Sequence, residues 1–122
     1  MSVGADVIVP FNTSVWLYRW PVDFRKQIDG LSVLVADTLA RNPLSGELFV
    51  FRNRSGDKVK ILYWSQDGFW LLYKRIERGR LVFPAMSEGQ MELSLEQLQW
   101  LLSGLDIERQ PRRSAVQAEH FF

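Results

Sequence analysis

Between Glu47 and Arg75, three runs rich in β-branched and aromatic residues follow one another with only two tight turns between them. This arrangement constrains the fold more than any other feature of the chain. The runs are Glu47–Arg52 (ELFVFR), Lys58–Trp64 (KVKILYW) and Phe69–Arg75 (FWLLYKR). Asn53-Arg54-Ser55-Gly56-Asp57 carries strong turn chemistry, and Asp67-Gly68 is a hairpin signal between alternating runs. Such short connections predict antiparallel pairing, because a parallel neighbour needs a crossover of a dozen or more residues. A fourth short run, Leu81-Val82-Phe83, follows Glu77-Arg78-Gly79-Arg80 and extends the predicted meander. A two-residue turn at Asp67-Gly68 sets Trp64 against Leu71, Leu62 against Tyr73, Lys60 against Arg75 and Lys58 against Glu77. A three-residue loop sets Lys60 against Lys74. In either register Lys60 faces another cation, an unfavourable pairing of a few tenths of a kcal/mol.

The flanking segments read as covering elements. Val15-Trp16-Leu17-Tyr18 is a strand that Pro21 stops, and Val7-Ile8-Val9 is a shorter candidate. Leu31, Leu34, Val35, Thr38 and Leu39 fall at helical spacing, which predicts a helix from an Asp29 N-cap to about Ala40. Ala85 to Gly89 reads as a loop. Ser94, Gln97, Leu93 and Leu98 give a capping box with its apolar staple, and Leu95, Leu98, Leu102 and Leu105 form a stripe that Gly104 ends. The prediction is an α+β fold: an antiparallel β-meander of four to five strands packed by two α-helices. It places residues 1–113 in a single domain and residues 114–122 in a flexible tail.

The chain has no cysteine and a single histidine, His120. That removes disulfides, thiolate chemistry and histidine-centred metal or nucleophile machinery. Among Asp23, Asp29 and Asp37, only Asp29 and Asp37 fall at a spacing that shares a helical face, so a third well-placed carboxylate for metal-assisted hydrolysis is missing. No catalytic residue, metal or cofactor is expected. No secretory leader or 18-residue apolar run is present, so the expectation is a soluble cytoplasmic protein without membrane contact.

The net charge of +1 conceals an uneven distribution. Residues 52–80 hold eight cations, Arg52, Arg54, Lys58, Lys60, Lys74, Arg75, Arg78 and Arg80, against Asp57, Asp67 and Glu77. Two readings stand side by side. The eight contact a phosphate backbone, or they form a solvated edge that discourages aggregation. Trp64, Trp70 and Tyr73 are read as core rather than as stacking platforms. Arg25 and Lys26 form a candidate anion or partner site near a helix start. The local alternative has Asp23 and Asp29 capping turns while the two cations pair with them or with Glu47. If Trp100 and Leu101 are exposed, they form a protein-binding patch.

The segments VWLYRWPVDFRKQIDGL, NPLSGELFVFRNRSGDKVKILYW, DGFWLLYKRIERGRLVFP and a leucine-rich helix ending in GLDIERQPRR occur in that order. Over roughly Val15 to Arg113 the chain resembles the small accessory transposition proteins called TnpB, or Orf2-like, of the insertion sequence sixty-six family. These are distinct from the much larger RNA-guided nuclease of the same name. The resemblance implies a non-catalytic protein encoded beside a separate transposase and needed for transposition. Its implied partners are the transposase, other proteins of the element and DNA. The family motif falls here on Asp23, Arg25, Lys26, Asp29 and Gly30, and later on Phe49, Phe51, Arg52, Gly56, Lys60, Trp64, Lys74, Arg75, Glu77, Gly79 and Pro84. Arg19-Trp20-Pro21 departs from the family, which more typically has a glycine-containing turn there.

Overall fold

The computed structural model describes residue 10 and residues 12–110. Five strands, β1 (Val15–Tyr18), β2 (Leu48–Arg52), β3 (Lys58–Ser65), β4 (Gly68–Arg75) and β5 (Gln90–Leu93), form one sheet in the order β4-β3-β2-β1-β5. Helix α1 (Ile28–Asp37) lies between β1 and β2 in the chain, and α2 (Leu95–Leu102) follows β5. A short 3₁₀ turn, Ile107–Arg109, closes the described chain. The fold is α+β, with β2, β3 and β4 joined as an antiparallel meander. The expected run at Val7-Ile8-Val9 and the tail 114–122 lie outside the described residues.

Two features of the sheet depart from the sequence reading. First, β1 runs parallel to β2, with Val15 opposite Leu48 and Leu17 opposite Val50. The long connection through α1 supplies the crossover that a parallel pair requires. Second, the fifth strand is β5, not Leu81-Val82-Phe83. β5 pairs antiparallel with β1, Leu17 against Met91 and Val15 against Leu93. The alternation of Gln90-Met91-Glu92-Leu93 is only four residues long, too short to stand out from the loop before it. Leu81 makes no ladder: its N–H donates to the Gly56 carbonyl at 3.0 Å, and its side chain is buried. Gly79 at φ 73° turns the chain away from β4. Residues 76–89 therefore cross the end of the sheet to reach β5, and among the described residues no strand pairs with the outer side of β4.

The sheet separates two apolar layers. Val15, Leu17, Leu48, Val50, Val59 and Ile61 point toward α2 and pack with Leu98 and Leu101. Phe49, Phe51 and Leu62 point the other way and pack with Leu31, Val35 and Leu39 of α1 and its exit. The period-two alternation of β2 and β3 thus feeds two cores, one beneath each helix. α2 starts as predicted: Ser94 Oγ accepts from the Gln97 N–H at 3.0 Å and Gln97 Oε1 accepts from the Ser94 N–H at 2.9 Å. Trp100 is half-buried on the core and Leu101 fully buried, so no apolar patch forms there, while Leu105 at the end of the stripe is exposed. α1 starts earlier than predicted. Gln27 is its N-cap and makes no side-chain capping bond, while Asp29 sits inside the first turn. It also ends earlier, because Ala40 adopts φ 54° and the Arg41 N–H reaches back to the Val35 carbonyl.

Candidate functional site: the basic end of the sheet

The β3–β4 hairpin turns on Gln66-Asp67, with Gln66 at φ 60°, and Ser65 pairs with Gly68. This register differs from both expected ones. Trp64 faces Phe69, Leu62 faces Leu71 and Lys60 faces Tyr73. A shift of two residues preserves which face each side chain occupies, so hydrophobic alternation cannot select it. The opposed cations are Lys58 and Arg75, at the solvent end of the ladder, where Arg75 also pairs with Glu77 at 2.8 Å.

Lys60 is therefore not a surface cation. It is 1% exposed and sits on the α1 side of the sheet. Its Nζ donates to the Phe24 carbonyl at 2.8 Å and to the Lys26 carbonyl at 2.7 Å. The rings of Phe24 and Tyr73 lie around it, 5.0 and 5.7 Å from the ammonium. Burial lowers its pKa from the ordinary lysine value, and the nearby Asp23 carboxylate raises it back in part. An ammonium has three donors and no acceptor, which suits a site of two carbonyls and two aromatic faces. Lys60 is the pin that holds the segment between β1 and α1 against the sheet. Arg52 does similar work one strand away. Its guanidinium donates to the Arg19 carbonyl at 2.8 Å and lies over the Phe83 ring, and its carbonyl accepts from the Val22 N–H. Partial burial lowers the Arg52 pKa from its ordinary value.

The pinned segment presents Asp23, Arg25 and Lys26 to solvent. Asp23 accepts from the Arg25 backbone N–H at 2.9 Å and pairs with its guanidinium at 2.6 Å. Those bonds lower the Asp23 pKa to about 2. Glu47 takes no part: its carboxylate accepts from Trp16 Nε1 and from Ser45. Arg25, Lys26, residues Gln27 to Gly30 and Leu71 border an open groove of about 620 Å³ at the start of α1.

The other predicted cations divide by position. Lys74 lies on the α2 side, where Nζ donates to the Leu102 carbonyl at 2.9 Å. Arg54, Lys58, Arg75, Arg78 and Arg80 all sit at the end of the sheet where β2 ends, β3 begins and β4 ends. Two loops meet there. The Ile76 N–H donates to Asp57, the Leu81 N–H to Gly56, and Arg80 Nε to the Ser55 carbonyl at 2.8 Å. The first loop is stiffened from within: Asn53 Oδ1 accepts from the Gly56 and Lys58 N–H groups, and hydrogen bonds from Asn53 and Ser55 hold the Asp57 pKa low. The segment pinned by Lys60 and Arg52 crosses the same end of the sheet. Arg25 and Lys26 thus join the five, giving seven cations against Asp23, Asp29, Asp57 and Glu77. Tyr73, two residues before Arg75 on β4, is 54% exposed, with Phe24 packed edge-on at 6.0 Å. Trp64 is half-buried against Phe69, but the expectation that Trp70 and Tyr73 belong to the core fails: both project from β4 into solvent.

Sequence reasoning missed the convergence of Lys60 and Arg52 on the segment after β1. The signal was the isolated lysine within the otherwise apolar run of β3. A charge there needs buried acceptors, and the backbone carbonyls that supply them are more than thirty residues away. Among the described residues no group of three histidine, cysteine or carboxylate side chains could hold a metal, and no helix is long and apolar enough to cross a membrane.

The family model for IS66 Orf2-like proteins matches residues 13–112. The chain belongs to the IS66 Orf2-like family. That family is one of transposition accessory proteins rather than a known catalytic family. Among curated proteins, the chain is similar to the uncharacterized protein y4hO of Sinorhizobium fredii, 41% identical over 95 residues covering 78% of this chain and 83% of that one. It is also similar to y4jC of the same strain, 38% identical over 93 residues covering 76% and 80%. No solved structure matches the chain. The family match spans every strand and helix described above and the segment that Lys60 pins, so the basic end of the sheet lies wholly within it.

Proposed function

We propose that this IS66 Orf2-like protein assists transposition by contacting DNA of its element through the basic end of the sheet. It acts beside the transposase in the bacterial cytoplasm and carries out no chemistry of its own. The observation that carries this reading is that the loops after β2 and β4 and the segment pinned by Lys60 bring Arg25, Lys26, Arg54, Lys58, Arg75, Arg78 and Arg80 to one end of the sheet, where the Tyr73 ring beside Phe24 is exposed. Cations on short, braced loops neutralise phosphates with release of counterions, and an exposed aromatic ring stacks on an unpaired base. Lys60 and Arg52 serve this surface from within, as the groups that hold the Arg25–Lys26 segment in place.

The test is a salt titration of binding to duplexes from the element ends, followed by fluorescence anisotropy. Binding should weaken steeply with salt, and replacing Arg54, Arg78 and Arg80 by alanine should reduce the slope of log K against log salt by up to about 3. Lys74→Ala, on the opposite face, should leave the slope unchanged. Absence of binding at low salt would remove DNA contact from the reading. A second reading, a protein-interaction subunit that never touches DNA, is favoured by the exposure of Trp70 and Leu72 on β4. Co-purification with the transposase together with no DNA binding at low salt would support it.

A further inference from the structure

β4 is the longest open edge of the sheet. It is eight residues long, ends the strand order, and pairs on one side only among the described residues. The other edge, β5, has four residues. Proteins usually blunt a long edge with an outward-pointing lysine, a proline or a covering loop. β4 has no proline, the chain after it turns away at Gly79, and the Lys74 amine is folded onto the Leu102 carbonyl. The large apolar and aromatic side chains it exposes are Trp70, Leu72 and Tyr73, by 42%, 39% and 54%, with Lys74 and Arg75 exposed at its end.

The backbone of this edge restricts what can pair with it. Ser65 and Gly68 close the hairpin, so residues 68, 70, 72 and 74 direct their N–H and C=O groups to β3. The Ile76 N–H bond to Asp57 continues that pattern. Phe69, Leu71, Tyr73 and Arg75 direct theirs outward. An antiparallel partner must place outward groups opposite outward groups, so a second β4 related by a two-fold axis can meet this one only in alternate registers. Centring the axis on Leu71 sets Phe69 opposite Tyr73 of the second copy, Trp70 opposite Leu72, and Asp67 opposite Arg75. Lys74 then faces Gly68, which has no side chain to repel it. Moving the axis to residue 70 sets Tyr73 against Asp67, and moving it to 72 sets Arg75 against Phe69. Only the Leu71 register pairs opposite charges at both ends and apolar side chains between.

We infer that β4 is a self-association edge, which joins two copies of this chain through antiparallel β4–β4 pairing centred on Leu71. The partner is a second copy because the edge is complementary to itself in charge, in side-chain size and in backbone polarity. The pairing forms about six backbone hydrogen bonds between residues 69 and 73 of the two chains, by the alternation of an antiparallel ladder. It covers Trp70 and Leu72 on the α2 side and joins the sheets into one.

Sedimentation equilibrium of the full chain across a concentration series tests this directly. The wild type should dimerise. Asp67→Arg, in an exposed turn, places like charges opposite each other at both ends of the pair and should weaken the dimer about thirtyfold. Adding Arg75→Asp restores opposite charges and should recover most of the affinity. Hydrogen exchange gives a second measurement without mutation: the Leu71 and Tyr73 amides should become protected as concentration rises. A wild type that stays monomeric to about 1 mM overturns the inference, since specific association is not that weak. So does a dimer with the same affinity in Asp67→Arg, or one in which the outward β4 amides exchange at a concentration-independent rate.

Discussion

The two faces of the sheet carry cores of similar make-up, yet they differ in one buried group. Toward α2, every side chain that β1, β2 and β3 bury is apolar or is Tyr63. Toward α1, the same strands bury Phe49, Phe51 and Leu62 alongside Lys60. The difference follows what each face supports. The α2 face carries a helix that is self-sufficient at its start, with a complete capping box. The α1 face carries a helix without a side-chain cap, preceded by a largely polar segment in which Val22 and Phe24 pack on the sheet. A buried ammonium tied to two carbonyls fixes the backbone of such a segment where apolar contacts alone leave it free to slide.

Removing apolar bulk should be most damaging and should not discriminate between the faces. Phe51→Ala on the α1 side and Leu101→Ala on the α2 side each open a cavity at a fully buried site, and each should cost about 3 to 4 kcal/mol in urea unfolding. Replacing Lys60 should separate them. Lys60→Ala removes two charge-assisted hydrogen bonds and a buried stem, and should cost about 3 kcal/mol. Lys60→Met keeps most of the packing and removes the buried charge, so its stability cost should be smaller. Both variants should release the Arg25–Lys26 segment, read as faster exchange of the Val22 and Lys26 amides, whose acceptors are Arg52 and Asp23. Fast exchange in Leu101→Ala as well would show that the segment depends on global stability and not on the pin.

The elements that the sequence made legible are those whose signals are local. The capping box at Ser94, the meander from β2 to β4 and the two-sided alternation of β2 and β3 can all be read from neighbours in the chain. What escaped is set by distant partners. The parallel β1–β2 pair depends on a crossover whose docking no local motif encodes. The fate of Leu81 to Phe83 was decided by the loop at Gly56 rather than by strand propensity. The hairpin register turned on a choice that leaves every side chain on the same face, and it moved Lys60 from a crowded surface to a buried site. For the same reason the eight cations could be counted but not sorted. Whether each lies inside, on the far face or at the basic end depends on register and on loops that meet across the sheet.

The helix starts offer a smaller test of the same contrast. Ser94→Ala removes a capping bond that exists and should cost about 1 kcal/mol. Gln27→Asp supplies a side-chain acceptor that α1 lacks and should gain up to about 1 kcal/mol. A gain at Gln27 would show that α1 owes its position to Lys60 and the core beneath it, since its own N-terminus contributes no cap. No gain would mean that the backbone at Gln27 cannot present an acceptor to the free N–H groups.

The mildest perturbation acts through pH on the exposed rim of the pinned segment. Arg25 holds the Asp23 carboxylate at about 2, below the roughly 3.9 of an unfolded aspartate. A carboxyl group with a lowered folded pKa contributes stability that is complete above about pH 4 and is lost as pH falls through about 2. Thermal unfolding of wild type and Asp23→Asn should therefore differ at neutral pH, with the wild type higher, and the two curves should converge between pH 4 and 2. Lys60 adds a second consequence. Its pKa is raised in part by Asp23, so the substitution makes its buried charge harder to keep. The gap at neutral pH should accordingly shrink when Lys60→Met is present in both proteins. A gap of the same size with and without Lys60 would show that Asp23 serves Arg25 alone, and that the rim and the pin beneath it are electrostatically independent.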